Sequence, residues 1–196
     1  MKNIAIFASG NGSNFQAIVD AIEGGKLHAN LKLLVCDKPG AFVIERAKKA
    51  DVPVYSFNPK QFASKTAFEE AIYEQLKKCD VDYIVLAGYM RLIGAFLLEK
   101  YPGRIINIHP SLLPAFPGKD AIAQAVSAGV KVTGVTIHFV DEGMDTGPII
   151  AQRAVEIADG ETEEEVAEKI HAIEHVFYPE TLENLLNEKC WKVLES

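Results

Sequence analysis

The sequence predicts an α/β protein: a single domain with a mostly parallel twisted sheet, helices on both faces, and an antiparallel strand addition near the C-terminal part. Three observations predict it. Short apolar runs alternate with segments of helical period over the first half of the chain,. The runs are continuously apolar, as in parallel strands covered on both faces. After residue 130, two long β-branched stretches follow each other through a glycine-rich turn with no helical segment between them,. A chain of 196 residues is long enough for one such domain with a sizeable core,.

The elements follow in order. Residues 3–8 read as a buried strand and 13–24 as a helix with Phe15, Ile18, Val19 and Ile22 on one face,. Strands are expected at Leu31–Cys36, Val54–Phe57, Tyr83–Ala87 and Arg104–Ile108, and helices over 41–50 and 65–78. In the helix over 65–78, Phe68, Ala71, Ile72 and Gln75 or Leu76 face inward. Val132–Val140 and Pro148–Ile157 form the added strand pair. A last helix begins near Thr162, where Thr162 and Glu165 match a capping box, and carries Val166, Ile170, Ile173 and Phe177 before Pro179,. No repeat, low-complexity segment or linker divides the chain, so residues 1–196 are expected to be one domain.

Composition narrows the function classes. A net charge of -7 argues against non-specific nucleic-acid binding, which needs a basic face,. Cys36, Cys79 and Cys190 are odd in number and form no CxxC pair, so free thiols in a reducing cytoplasm are expected,. The first apolar run is too short for a signal peptide, and no stretch approaches a membrane span,.

Ser9-Gly10-Asn11-Gly12-Ser13-Asn14 lies between the first strand and the first helix. Glycines allow a sharp turn and close approach of a ligand, and a helix N-terminus favours phosphate. Ser13 with Gln16 fits a capping box. Phe15 stands where a dinucleotide fingerprint has its third glycine, which argues against Asp37 as a ribose-binding acid; a P-loop lysine is also absent,. A phosphate site and a plain tight turn both remain open.

In Ile105-Ile106-Asn107-Ile108-His109-Pro110, strand alternation puts Asn107 and His109 on one face,. They stand at a strand's C-terminal end, where parallel sheets bind ligands. Asp141-Glu142-Gly143-Met144-Asp145-Thr146-Gly147-Pro148 is a constrained acidic loop that would aim Asp145 at His109 if the two segments meet. His138, in Val135-Thr136-Ile137-His138-Phe139, reads by default as a strand histidine with a local hydrogen bond. His171 and His175 are four apart on a helix, but no HExxH and no cysteine accompany them, so no metal is expected,.

Asn107-Ile108-His109-Pro110-Ser111-Leu112-Leu113-Pro114 resembles the signature of the folate-dependent formyltransferases, and Asp141–Pro148 resembles that family's second motif. The Ser9–Asn14 turn and Leu86-Ala87-Gly88-Tyr89-Met90-Arg91 extend the resemblance over essentially the whole chain. It implies a Rossmann-like fold, with a nucleotide-binding part (1–100) and a catalytic and folate-binding part (101–196). It also implies transfer of a formyl group from 10-formyltetrahydrofolate, as co-substrate, to the amine of glycinamide ribonucleotide in purine biosynthesis, by direct attack.

On the same resemblance, Asn107 and His109 stabilise the oxyanion, and Asp145 holds His109 and orders a water that relays protons. Gly12, Ser13 and Asn14 cradle the phosphate, and Glu174 takes the ribose hydroxyls. Folate lies along Met90, Arg91, Leu92 and Ile93, beside Asn107, and against Val140, Asp141 and Asp145. Lys65 meets its acidic tail. Asp120 stands where some relatives carry a histidine and is expected to cap the next helix,. A cytoplasmic monomer or homodimer acting on small molecules, away from nucleic acid and membrane, is expected. A methionyl-tRNA formyltransferase would need a basic RNA-binding domain. A formyltetrahydrofolate hydrolase usually carries an extra N-terminal regulatory domain. A non-catalytic nucleotide-binding module would not need Asn107, His109 and Asp145.

Overall fold

The alternation of apolar runs and helical segments becomes a seven-stranded sheet in the computed structural model, which describes residues 1–187. The strands are β1 (Lys2–Ala8), β2 (Ala29–Cys36), β3 (Val54–Ser56), β4 (Tyr83–Leu86), β5 (Ile105–His109), β6 (Val132–Phe139) and β7 (Ile149–Glu156), in the order β3-β2-β1-β4-β5-β6-β7. β1 to β5 pair in parallel. β6 runs antiparallel to β5, and β7 antiparallel to β6, which is the expected strand addition. The chain builds outward from β1 to β3, then returns to β4 on the other side of β1. That reversal opens a crevice beyond the C-terminal ends of β1 and β4, the usual ligand position in such sheets.

The helices are α1 (Ser13–Glu23), α2 (Phe42–Lys49), α3 (Lys65–Lys78), α4 (Ala95–Lys100), α5 (Ala121–Ala128) and α6 (Glu163–Asn187). Successive β1 residues point to opposite faces. Ile4 and Ile6 join Phe15, Ile18, Leu34, Val85, Ile106 and Tyr178 in a core that α1, α2 and α6 help to form. Ala5 and Phe7 join Phe68, Ile72, Leu76, Ile84 and Leu97 in a second core, completed by α3 and α4. Each fully buried large apolar side chain contributes about 1.5–3 kcal/mol, so both cores are needed to hold the sheet flanked on two sides.

Several local expectations change. Ser13 does not cap α1: Gly12 holds the cap position at φ 81, no side chain caps the helix, and the Gln16 N–H donates to the Gly12 carbonyl at 2.9 Å. The Gln16 amide turns instead to Asp20 at 2.8 Å, so the capping-box partner is lost to an i,i+4 contact,. Asp120 sits at the N-cap position of α5, but at φ 54 its side chain makes no cap bond. α4 had no expected counterpart: its six residues are too few for a helical period to stand out,. In α3, Ala71 is only half-buried, and the charged residue Glu69 is buried beside Phe68.

The Thr162–Glu165 capping box forms in full, with the Glu165 carboxylate accepting from the Thr162 N–H at 2.8 Å and the Thr162 hydroxyl from the Glu165 N–H at 3.2 Å. α6 continues through Pro179 to Asn187. Cys36 is buried and free, Cys79 is half-buried and free, and Cys190 lies outside the described residues. Among the described residues no helix is long and apolar enough to cross a membrane.

Candidate active site

Three neighbouring strands aim the functional segments at one crevice. Phe7 of β1 pairs with Leu86 of β4, and Leu86 with Asn107 of β5. The chain leaving β1 is the Ser9–Asn14 turn, the chain leaving β4 is the Gly88–Ile93 strip, and β5 itself ends in Asn107 and His109. Asn107 and His109 therefore stand near the start of both segments. Tyr178 of α6 secures this level from below: its buried hydroxyl donates to the Leu86 carbonyl at 2.8 Å and lies 3.3 Å from that of Ile106. Complete burial pushes that phenol well above its usual range, so it remains a donor.

His109 is 5% exposed and has an acceptor at each ring nitrogen. Nδ1 lies 3.4 Å from an Asp145 carboxylate oxygen, and Nε2 lies 2.8 Å from the Phe116 carbonyl. The two segments separated in sequence do meet. The loop that carries Asp145 is held in place by its own residues. The Asp141 carboxylate accepts from the Gly143 N–H at 3.0 Å and from the Thr146 hydroxyl at 2.6 Å. A Cβ at Gly147 would collide with the Phe139 carbonyl, so only glycine lets the loop close onto β6. Asp145 itself adopts φ 57 and accepts from the Gly118 N–H at 2.8 Å.

His138 completes the cluster. It sits opposite Asn107 in the β5–β6 register, with Nε2 3.4 Å from the Asn107 amide nitrogen and 3.7 Å from Asp145. Its Nδ1 lies 2.9 Å from the Phe139 carbonyl. Burial pushes the imidazole below its ordinary range, so it stays neutral,. With Nδ1–H donated to the carbonyl, Nε2 accepts from Asn107 and fixes which way that amide faces. The sequence default of a local hydrogen bond was half of the answer. Its alternation with Ile137 was visible, but the antiparallel register that places it against Asn107 was not.

The cleft in front of this cluster holds about 320 Å³. Met90, Arg91, Leu92, Ile93, Asn107, His109, Val140 and Asp145 line it, joined by Gly118, Lys119, Asp120 and Met144. Met90, Leu92 and Met144 are 64%, 51% and 49% exposed, an apolar edge at the mouth. Asp141 and Lys65, also expected at the folate, do not line this cleft. Asp141 spends its carboxylate on the loop, and Lys65, at the start of α3, lies beside Glu69. The Glu69 carboxylate accepts from the Gly94 N–H at 2.9 Å and so anchors the far end of the strip, while burial raises its pKa.

The Gly12 turn is shaped by α2. A Cβ at Gly12 would collide with Val43, and the Val43 N–H donates to the Gly10 carbonyl at 3.0 Å. Arg46 holds the turn through Asn11, with Nε 2.8 Å from its carbonyl and a terminal nitrogen 2.8 Å from its side-chain oxygen. The N–H groups that open α1 lack intrahelical acceptors and suit an anion. Just beyond, the Asn14 amide donates to the Glu174 carboxylate at 3.1 Å, and the Asn14 side-chain oxygen is buried without a partner. Burial raises the Glu174 pKa, opposed by Asn14. A larger cavity of about 580 Å³ lies between α1 and α6, lined by Ser13, Arg46 and His175 among others. It borders the turn but contains none of Asn107, His109 and Asp145, so the smaller cleft is the candidate reaction site. Among the described residues no group of three or more His, Cys, Asp or Glu side chains is arranged to hold a metal ion.

The geometry has close counterparts. The chain is 59% identical to phosphoribosylglycinamide formyltransferase of Bacillus subtilis over 186 residues, covering 95% of each chain. A crystal structure of glycinamide ribonucleotide transformylase 1 from Geobacillus kaustophilus superposes with a TM-score of 0.93 at 62% identity, covering 95% of this chain and 99% of that one. The phosphoribosylglycinamide formyltransferase of Bacillus halodurans gives a TM-score of 0.93 at 57% identity, covering 95% and 96%. Residues 2–182 match the formyl transferase family, and the chain belongs to that family.

Proposed function

We propose that the chain transfers the formyl group of 10-formyltetrahydrofolate to the amine of glycinamide ribonucleotide, working in the cytoplasm on these two small molecules. The observation that carries this reading is the meeting of Asn107, His109 and Asp145 in the wall of one cleft. The cleft's apolar mouth at Met90, Leu92 and Met144 fits the flat ring of a folate, and the turn fits a phosphate,. Residues 1–100 supply the nucleotide turn, and residues 101–196 the reacting side chains.

The amine nitrogen attacks the formyl carbon, a new C–N bond forms, and the carbonyl electrons move onto oxygen. The second N–H of Asn107, left over once His138 has taken the first, donates to that oxygen. His109 adds a charge-assisted donor by exchanging the Phe116 carbonyl for the oxyanion. Asp145 keeps the ring oriented from the other side and orders the water through which the amine proton passes to folate N10, as the C–N10 bond breaks. Glu174 and the unpartnered Asn14 oxygen accept from the ribose hydroxyls. Met90–Ile93 read the folate ring through backbone groups. In this reading Lys65 is the basic group nearest the strip's outer end that meets the folate tail, and Asp141 serves the folate through the loop it closes.

The test mixes purified protein with 10-formyltetrahydrofolate, with and without glycinamide ribonucleotide, and follows deformylated folate by absorbance. Release that requires the ribonucleotide supports transfer. Release without it makes the protein a hydrolase, and no release with retained ribonucleotide binding makes it a binding module.

A further inference from the structure

The Gly12 turn and the Met90–Ile93 strip leave neighbouring strands, and a buried polar network joins them. Asp37, at the end of β2, is 3% exposed. One of its carboxylate oxygens accepts from the Ser9 hydroxyl; the other accepts from Arg91 Nε at 2.8 Å. The Ser9 hydroxyl in turn accepts from the Met90 N–H at 2.9 Å, and the Ser9 N–H donates to the Gly88 carbonyl at 3.0 Å. Ser9 opens the glycine turn. One carboxylate thus ties the first residue of the turn to the first two residues of the strip's ligand-facing run.

The chemistry of the network is demanding. A buried carboxylate is costly unless it is paired and hydrogen-bonded, and here a hydroxyl and a guanidinium satisfy it. The Arg91 side chain is 41% exposed and lines the cleft, whereas the Asp37 side chain is 1% exposed and does not. Asp37 therefore lies behind the cleft wall and reaches it only through Ser9 and Arg91. None of the steps in formyl transfer uses it.

We propose that Asp37 is a positioning residue: it sets the distance between the nucleotide turn and the folate strip, and holds the Arg91 guanidinium against the cleft wall, if those segments hold the two substrates as read above. Reaction between two bound molecules depends on their relative placement to within about 1 Å, and a misplacement of that size costs on the order of a hundredfold in rate. A fixed tie between the two cradles meets that need without a moving part.

The test compares wild type with Asp37→Asn and Ser9→Ala in three measurements. Hydrogen exchange at the Met90 amide, taken on the free protein, is expected to accelerate in both variants. Tetrahydrofolate binding by calorimetry is expected to weaken on the order of tenfold in Asp37→Asn, the lower end for losing a charge-assisted hydrogen bond because Arg91 is partly exposed. The double variant Asp37→Asn/Arg91→Gln is expected to bind less weakly than the two single losses added together, since Asp37 acts in part through that side chain. The kcat of Asp37→Asn at saturating substrates is expected to fall as well, since the two bound molecules are no longer held at the reacting distance.

Unchanged Met90 exchange together with wild-type folate affinity in Asp37→Asn overturns the proposal. So does a loss of activity that tracks only the fraction of folded protein. If Asp37→Asn fails to fold, Ser9→Ala carries the same exchange measurement. If wild type itself binds no tetrahydrofolate, the formyl-transfer reading fails, and exchange at Met90 still decides whether Asp37 anchors the strip.

Discussion

Asp145→Asn isolates the carboxylate's charge from its place in the fold. Asp145 sits at φ 57, a conformation asparagine adopts without the strain that alanine would bring,. Its bond from the Gly118 N–H at 2.8 Å survives, because the asparagine carbonyl still accepts, though more weakly than a carboxylate,. What disappears is the anion 3.4 Å from His109 Nδ1. An ion pair this buried exceeds the roughly 0.2–1 kcal/mol of an exposed pair and, at 3.4 Å, falls short of the roughly 3–5 kcal/mol of breaking a close buried one, so a loss of about 2 kcal/mol is expected,. At 1.36 kcal/mol per factor of ten, that is roughly 30-fold in kcat/KM. The assay is ribonucleotide-dependent release of deformylated folate, run beside a thermal melt. A loss smaller than about threefold, with an unchanged melt, would refute the assignment of Asp145 as the partner that orients His109.

Removing the amide in Asn107→Ala is expected to reduce kcat by about 10²–10³, the usual effect of losing one oxyanion donor; turnover near that of wild type in a folded variant would exclude Asn107 from the chemistry. Glu174→Gln tests a buried carboxylate whose folded pKa is raised above 4.5 by desolvation. Between 4.5 and that raised value the folded state binds more protons than the unfolded state, so wild-type stability falls as pH rises. Melts against pH should show the glutamine variant gaining on wild type over that window, and parallel curves would contradict the burial argument. Gly12→Ala places a Cβ against Val43 in a left-handed residue, and should cost at least about 1–2 kcal/mol in denaturant melts and abolish ribonucleotide binding; a variant with normal binding would show that the turn does not need this shape,. Thr162→Ala should lower stability by about 1 kcal/mol through loss of the α6 cap, with catalysis unchanged,.

Much of the site was legible because its chemistry is local in sequence. Asn107 and His109 share a face by strand alternation alone, and the glycines around residues 10–12 announce a sharp turn at a helix start,. The spacing of Thr162 and Glu165 located the start of α6, because a capping box involves only one helical turn. The cap predicted at Ser13 failed for the opposite reason: α2, distant in sequence, packs Val43 against the turn and leaves room only for glycine at position 12. Asp141 was placed at the folate from its loop alone, and only the structure shows that its carboxylate accepts from Gly143 and Thr146 within that loop.

The sequence by itself determined the class of sheet, the strands that end in functional segments, and the family to which those segments belong, since apolar period and short motifs are written in neighbouring residues. Only the tertiary structure decided which polar groups meet. The pairing of His109 with Asp145, the placing of His138 beside Asn107, and the tie of Asp37 to Ser9 and Arg91 all cross between elements far apart in the chain. Their contacts depend on strand order, on antiparallel register and on the reversal at β1, which set distances to a few tenths of an ångström that no residue pattern encodes.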